Sequence, residues 1–205
     1  MKPILLTPYY QIFDIYKPKT ICEIGTHDGK SAVQFVDYCL QYNPKLHYTG
    51  YDIFDDVKDD VKFHEQEING KGAGRYKTAK ANLAHRQTKF KKFKFTLIKG
   101  YTTDTLQEGT FDFVYIDGGH SYETVMHDYH KVKNSNVIVF DDYQIDGVQQ
   151  CFDEVARQEN IKELEWEDAL QSKERCYAFM PHQRDNITKA HGKRVSHIQP
   201  VIFNR

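Results

Sequence analysis

Short apolar segments alternate with helical segments along most of the chain, and this alternation limits the fold more than any other feature. The apolar segments have the length of buried strands and lie at Thr20–Ile24, Leu46–Ile53, Phe95–Lys99, Phe111–Ile116 and Asn136–Phe140. Helical patterns lie between or after them, at Lys30–Gln41, Ala79–Gln87, Tyr122–Lys133 and Val148–Gln158. Such an alternation predicts a parallel sheet with helices on both faces.

The predicted fold class is α/β, a Rossmann-like, doubly wound, mostly parallel seven-stranded sheet. Two strand candidates in the tail, Cys176–Met180 and His197–Phe203, bring the number of strands to seven. A length of 205 residues predicts a single domain over residues 1–205. Within it we expect a basic insertion around residues 68–94 and a C-terminal part, residues 171–205, that carries no recognisable motif.

Composition excludes several classes of protein. The formal net charge of −1 points to no particular partner, and no apolar run is long enough to cross a membrane. The N-terminal residues lack the sustained apolar region and cleavage site of a signal peptide. The cysteines are scattered and form no C-x-x-C pair, so we expect reduced thiols, no zinc knuckle and a cytoplasmic protein.

Acidic residues end four of the five predicted strands. They are Glu23, Asp52, Asp117 and the pair Asp141–Asp142. In an open parallel sheet, ligands bind outside the carboxyl ends of the strands. Carboxylates that crowd together repel one another unless they bind a cation or hydroxyl groups. The pattern therefore predicts a binding site at this edge of the sheet, although helix capping is an alternative role for some of the aspartates.

The turn after the first strand, EIGTHDGKS, has the spacing E-x-G-x-x-x-G. A dinucleotide site needs G-x-G-x-x-G, but here His27 occupies the position of the second glycine. The turn suits a nucleoside without a phosphate, with Gly25 allowing close backbone approach and Glu23 available for an ammonium group. Asp52 could accept hydrogen bonds from both ribose hydroxyls. The N-terminus of the following helix could hold a carboxylate. A ligand with adenosine, an amino group, a carboxylate and no phosphate is S-adenosylmethionine.

Three motifs together resemble those of the class I S-adenosylmethionine-dependent methyltransferases: EIGTHDGKS, YDIFD and KGYTTDTL. The resemblance covers roughly residues 16–157. It implies that the cofactor is bound by Glu23, Gly25, Thr26, His27, Gly29, Asp52, Ile53, Tyr101, Thr102 and Asp117.

A narrower resemblance concerns YIDGGHSY and VIVFDDY, which are similar to motifs of the small metal-dependent O-methyltransferases of the macrocin and catechol types. It implies that Asp117, Asp141 and Asp142 hold a magnesium ion. The macrocin type tends to have a second carboxylate, the probable base, where this chain has Gly119. We therefore expect His120 to be the general base, since neutral imidazole suits proton transfer near neutral pH. The alternative is that His120 is only a turn residue.

The sequence thus predicts magnesium-assisted O-methylation of a small hydroxylated molecule. From Ile68 to Thr103 there is no acidic residue and there are many lysines. This stretch is either a solvated face or a positive lid for an anionic substrate. A nucleic-acid methyltransferase is an alternative, but the chain lacks the expected N-P-P-Y, D-P-P-Y and P-C motifs. A non-catalytic cofactor-binding scaffold is another. The N-terminal segment, residues 1–16, is predicted to cover the site or to form a homodimer contact.

Overall fold

The computed structural model describes residues 7–54, 75–158 and 178–181. Its helices are α1 (Thr7–Tyr16), α2 (Lys30–Cys39), α3 (Tyr76–Lys89), α4 (Thr102–Thr105), α5 (Tyr122–Val132) and α6 (Asp146–Gln158). Its strands are β1 (Thr20–Ile24), β2 (His47–Asp52), β3 (Lys94–Lys99), β4 (Phe113–Ile116), β5 (Val137–Phe140) and β6 (Ala178–Pro181). Most predicted elements therefore lie within about two residues of their predicted bounds.

The strands form one sheet in the order β3-β2-β1-β4-β5-β6. Strands β1 to β5 pair in parallel, and β6 pairs antiparallel with β5. The strand order reverses between β1 and β4, which makes the carboxyl ends of these two strands the topological switch point where ligands bind in such sheets. The predicted α/β class is confirmed. The last strand candidate, His197–Phe203, lies outside the described residues, so the predicted number of seven strands is not tested.

Side chains alternate between two cores on opposite faces of the sheet, as the two-residue period of a strand requires. One core contains Ile21, Phe113 and Val139 and includes side chains of α1, α2 and α3. The other contains Cys22 and Val114 and includes side chains of α5 and α6. Because both faces are covered at the centre of the sheet, strands β1, β4 and β5 are buried at nearly every position and consist mostly of apolar residues, and this is why they were recognisable in the sequence.

Residues 7–16 of the N-terminal segment form a helix that the sequence pattern did not indicate. In α1, Tyr9, Ile12 and Phe13 are buried, and the ring of Phe13 lies edge-on to that of Phe113 at a centroid distance of 4.8 Å. Each such buried side chain contributes about 1.5–3 kcal/mol of hydrophobic stabilisation. The apolar side of α1 therefore packs into the core of this chain.

Part of the predicted basic insertion belongs to helix α3, which packs into the core of the protein. In α3, Ala79 and Leu83 are buried, and Arg86 forms a two-point ion pair with Asp37 of α2 at 2.9 and 2.8 Å. The lysines of α3 are exposed. The predicted loop over residues 69–74 lies outside the described residues.

The predicted strand Phe111–Ile116 begins later than predicted, at Phe113, because Asp112 has a different role. The carboxylate of Asp112 accepts hydrogen bonds from the backbone nitrogens of Lys19 and Thr20, at 2.8 and 3.0 Å. Its side chain therefore caps the start of β1 from the neighbouring chain segment, and Asp112 lies before the regular strand.

Cys22, Cys39 and Cys151 are buried free thiols, as expected, while Cys176 lies outside the described residues. Across the described residues, we find no helix with the length and apolar character that a membrane crossing requires.

Candidate active site

Gly25 marks the point where the turn after β1 meets the end of β4. It has a φ of +91°, and its backbone nitrogen donates to the carbonyl of Tyr51 at 2.8 Å. A Cβ atom at this position would lie 1.8 Å from the carbonyl oxygen of Asp117. The glycine is therefore required by the packing of the chain on itself, in addition to the close ligand approach predicted from the sequence.

Glu23 lies beneath this turn and is fully buried. Its two carboxylate oxygens accept hydrogen bonds from the hydroxyls of Ser31 and Tyr48. Burial raises the pKa of Glu23 to about 7, against the lowering effect of the two hydroxyl groups. The side chain thus links β1 to β2 and α2, and its predicted contact with a ligand ammonium stays a prediction.

Thr26 is also buried, and its hydroxyl lies 3.3 Å from the hydroxyl of Tyr48. This places Thr26 in the same hydrogen-bonded layer as Glu23. Gly50 packs directly against the Thr26 hydroxyl, and a Cβ atom there would lie 2.4 Å from the hydroxyl oxygen. The interior of the turn is therefore filled by protein atoms.

His27 and Gly29 form the outer part of the turn. His27 has a φ of +51°, and its side chain is 51% exposed. Gly29 has a φ of +79° and precedes α2, and a Cβ atom there would lie 3.1 Å from the Cα atom of Ala79. Helix α3 is thus packed directly against the turn, while the His27 side chain extends into solvent.

Asp52 ties the end of β2 to this turn. Its Oδ2 accepts from the backbone nitrogen of His27 at 2.7 Å, and its Oδ1 accepts from that of Phe54 at 2.8 Å. Ile53, between them, is partly exposed. The predicted ribose-binding acid therefore lies beside the predicted cofactor turn and is already oriented by two backbone donors.

Tyr101 and Thr102 lie at the start of α4, a short helix that the sequence analysis did not predict. The backbone nitrogen of Gly100 donates to the carbonyl of Asp52 at 3.0 Å, so the end of β3 adjoins the end of β2. The hydroxyl of Thr105 donates to the carbonyl of Tyr101 at 2.8 Å and holds the turn of α4. The predicted adenine-lining residues are thus next to the predicted ribose acid.

A second group of polar side chains lies at the ends of β4 and β5. Ligand atoms of Asp117, His120 and Asp142 all lie within 4.8 Å of one another. Nε2 of His120 is 3.2 Å from Oδ2 of Asp142. Both of these side chains are buried, and Asp117 is partly buried. Donor atoms that share one cation at about 2.0–2.3 Å are separated by roughly 3–4.5 Å, so the spacing of these three residues is close to that of ligands on one divalent metal ion.

Asp141, the third predicted metal ligand, is not one of these three residues. It is buried, its Oδ2 accepts from the hydroxyl of Tyr115, and its Oδ1 accepts from the backbone nitrogen of Asp142 at 2.9 Å. The structure therefore brings Asp117 and Asp142 together with His120. Nothing in the strand pattern identified Tyr115 as a partner of Asp141, but His120 could have been considered as a ligand because it follows Asp117 closely in the chain.

The segment that carries His120 is fixed on two sides. Ser121 caps α5 by accepting from the backbone nitrogen of Thr124 at 3.3 Å. A Cβ atom at Gly147 would lie 2.4 Å from the carbonyl oxygen of His120, so the start of α6 packs against it. The cap is thus made by Ser121 and not by His120. The role of His120 as a general base stays a prediction.

A family profile described as a methyltransferase domain matches residues 22–143. This range begins in β1 and ends just after Asp142, so it contains both groups of polar residues. The chain belongs to this methyltransferase family. It is a class I S-adenosylmethionine-dependent methyltransferase, and the resemblance seen in the three sequence motifs is confirmed.

Solved structures share the fold at low identity. The apo structure of CalS11, a TDP-rhamnose 3′-O-methyltransferase of calicheamicin biosynthesis, is 16% identical, with a TM-score of 0.57 and coverage of 84% of this chain and 75% of that one. A putative caffeoyl-CoA O-methyltransferase from Staphylococcus aureus is 15% identical, with a TM-score of 0.52 and coverage of 79% and 77%. An O-methyltransferase from Bacillus cereus, solved with SAH, is 16% identical, with a TM-score of 0.51 and coverage of 77% and 70%. None of the curated proteins matches the sequence.

Proposed function

We propose that this methyltransferase transfers a methyl group from S-adenosylmethionine to a hydroxyl oxygen of a small molecule, with a divalent cation, magnesium in the simplest case, beside the cofactor. One observation carries the proposal. Asp117 contributes its carboxylate to the group with His120 and Asp142, while its backbone abuts Gly25 of the cofactor turn. A hydroxyl placed at the carboxylate group would therefore lie next to a methyl donor held by the turn.

The cofactor side of the site would bind and orient the methyl donor. The Asp52 carboxylate, fixed by the backbone nitrogens of His27 and Phe54, would accept hydrogen bonds from the ribose hydroxyls. Tyr101 and Thr102 would line the adenine. Orientation of this kind is effective because it converts a bimolecular reaction into one within a complex.

The acidic side of the site would bind the acceptor hydroxyl. Asp117 and Asp142 would hold the cation together with a third ligand, and a cation bound there would make the substrate hydroxyl a stronger acid. The substrate oxygen would then attack the methyl carbon. A new carbon–oxygen bond forms, the carbon–sulfur bond breaks, and its electron pair stays on the sulfur of S-adenosylhomocysteine. The hydroxyl proton passes to a base, for which His120 is the predicted candidate.

The acceptor is proposed to be a small molecule that carries a negative charge. The exposed lysines of α3 lie on a helix that packs against Gly29, directly beside the cofactor turn. CalS11 provides a precedent for the fold on a nucleotide sugar, TDP-rhamnose. A nucleic acid as acceptor is the second candidate, favoured only by the same positive charge.

Calorimetric titration with S-adenosylmethionine, in magnesium and again in chelator, tests the cofactor half of the proposal. We expect micromolar binding in both conditions. Methyl transfer to a panel of hydroxylated acceptors should then be lost in chelator and restored by added cation. Transfer that continues in chelator would contradict the role of the cation, and steeply salt-sensitive binding of mixed oligonucleotides would favour the nucleic-acid alternative.

A further inference from the structure

We infer that His120 is a metal ligand, that it takes the place predicted for Asp141, and that the site consequently selects manganese or another borderline cation over magnesium. The inference rests on the metal-assisted part of the proposed function, but it gives His120 the role of a ligand instead of the base, so the proton of the substrate hydroxyl would pass to water. It replaces a set of three carboxylates with a set of two carboxylates, from Asp117 and Asp142, and one imidazole.

The spacing of the donor atoms fits one shared ion. One ring nitrogen of His120 and one oxygen each of Asp117 and Asp142 lie within 4.8 Å of one another. The contact of 3.2 Å between His120 and Asp142 is close to the separation of neighbouring ligands on one ion, about 3 Å for bonds of 2.1 Å. A cation could enter at the point where the two side chains now face each other.

Asp141 is held away from such an ion by its own hydrogen bonds. Both of its oxygens accept, one from the buried Tyr115 hydroxyl and one from the backbone nitrogen of Asp142. These two bonds fix the orientation of the Asp141 carboxylate, and turning it towards the ion would leave the buried Tyr115 hydroxyl without this acceptor, which costs about 1–3 kcal/mol. In its present place Asp141 orients the residue that follows it, so we assign it a positioning role behind Asp142.

The burial of His120 also favours a ligand over a base, since this residue is only 2% exposed. A general base must reach the substrate proton within hydrogen-bond distance, whereas a ligand needs to face only the ion. The charges of such a site also balance. The imidazole is neutral and the two carboxylates carry two negative charges, which one divalent cation neutralises.

The ligand set determines the metal preference. Magnesium prefers oxygen ligands alone, whereas imidazole suits zinc, iron, nickel and copper, and carboxylates also suit manganese. A mixed set of two oxygens and one nitrogen should therefore bind manganese more tightly than magnesium. We expect magnesium to need at least about a hundredfold higher concentration to displace manganese from the full-length protein.

Pulsed electron paramagnetic resonance on the manganese-loaded, full-length protein tests the inference without S-adenosylmethionine and without turnover. The wild-type spectrum should show hyperfine coupling to one imidazole nitrogen, with about one manganese ion bound per chain. His120→Gln should remove the coupling and weaken manganese binding at least about tenfold. Asp141→Asn should keep the coupling and weaken manganese binding less than His120→Gln does.

Absence of nitrogen coupling in the wild-type spectrum would overturn the inference, and so would absence of manganese binding or preservation of the coupling in His120→Gln. A larger loss of affinity in Asp141→Asn than in His120→Gln would restore the set of three carboxylates. Melting temperature and S-adenosylmethionine binding of each variant show that it is folded. Failure of the proposed function gives a different result, a loaded metal site without cofactor binding or methyl transfer.

Discussion

The two sides of the site differ in what their acidic groups face. On the cofactor side, Glu23 accepts from Ser31 and Tyr48, and Asp52 accepts from two backbone nitrogens. On the metal side, Asp117 and Asp142 lie within 4.8 Å of each other and of a histidine. The first side is therefore completed by the protein's own hydrogen-bond donors, whereas the second places like charges together and would be completed by the proposed cation.

The difference implies that the two sides can be disturbed separately, except at the point where they meet. That point is the contact between Gly25 and the backbone of Asp117. A change there should damage both sides, and a change on one side should leave binding at the other largely intact.

Gly25→Ala should have the largest effect. The new Cβ atom would lie 1.8 Å from the Asp117 carbonyl oxygen, at a φ of +91° that side chains rarely adopt. We expect a loss of at least about 3 kcal/mol in the free energy of unfolding, together with loss of S-adenosylmethionine binding. Chemical denaturation and calorimetry measure the two effects.

Gly109→Ala is the matched control, because its Cβ atom would meet mainly the Phe111 ring, at 3.0 Å. It should cost less than about 1 kcal/mol and leave cofactor binding unchanged. Equal effects of the two substitutions would contradict the special role of Gly25.

Asp142→Asn should separate the two sides. It removes a charge from the group that contains His120 and Asp117, so metal affinity should fall at least about a hundredfold. Cofactor affinity in the absence of metal should stay within about threefold, because Asp142 lies on the metal side. Calorimetric titrations with manganese and with S-adenosylmethionine give both values.

Asp146→Asn is the control for this change, since Asp146 is an exposed aspartate at the start of α6. It should leave both affinities unchanged. A joint loss of metal and cofactor binding in Asp142→Asn would show that the two sides are coupled more strongly than the contacts indicate.

Asp128 and Glu23 are both buried acids, but they differ in their hydrogen bonds. Like Glu23 it is fully buried, but neither of its oxygens makes a hydrogen bond of normal geometry to a described residue. Burial raises the pKa of Asp128 to about 7, against a lowering effect of the nearby Thr102 hydroxyl. The thiols of Cys22 and Cys151 also have raised pKa values, mainly through burial, with a contribution from Asp128.

The sign of the pH effect follows from this raised pKa. The folded state keeps the Asp128 proton up to about pH 7, whereas the unfolded state releases it near the ordinary value of 3.8. The contribution to stability should therefore be fully present at acid pH and should be lost as pH rises from about 4 towards 7. Asp128→Asn, which stays neutral, should gain about 2 kcal/mol relative to the wild type near pH 5.5.

Thermal denaturation of both proteins between about pH 4 and pH 7 measures the gain. Asp104→Asn is the control, because Asp104 is exposed, and it should not alter the pH dependence. We expect wild-type stability to fall relative to that of Asp128→Asn across this range. A rise would contradict the assignment of a neutral Asp128.

Much of the fold could be predicted because both faces of the sheet are buried. Strand β1 was predicted with its observed bounds, Thr20–Ile24, and the acids at the strand ends were identified before any contact was known. Helix α1, TPYYQIFDIY, was missed because apolar and aromatic residues occupy most of its positions, so its buried side does not stand out. Helix α4 was missed because it has only four residues, TTDT, too few to show a period.

The site was harder to predict, because its roles depend on contacts between distant residues. Position in the motif gave Asp141 and Asp142 the same predicted role. Only the fold shows that Tyr115 holds Asp141 and that His120 faces Asp142. Glu23 was likewise predicted as a ligand group, although Ser31 and Tyr48 give it a structural role that no local pattern indicates.

Asp52→Asn should have the smallest of these effects and should be confined to the cofactor side. The amide keeps one oxygen, so it can still accept from either His27 or Phe54, but it loses the charge that would strengthen hydrogen bonds to the ribose hydroxyls. We expect S-adenosylmethionine affinity to fall about tenfold, or roughly 1.4 kcal/mol, with manganese affinity unchanged. If metal affinity fell equally, Asp52 would contribute to both sides, and the division of the site into a cofactor side and a metal side would be wrong.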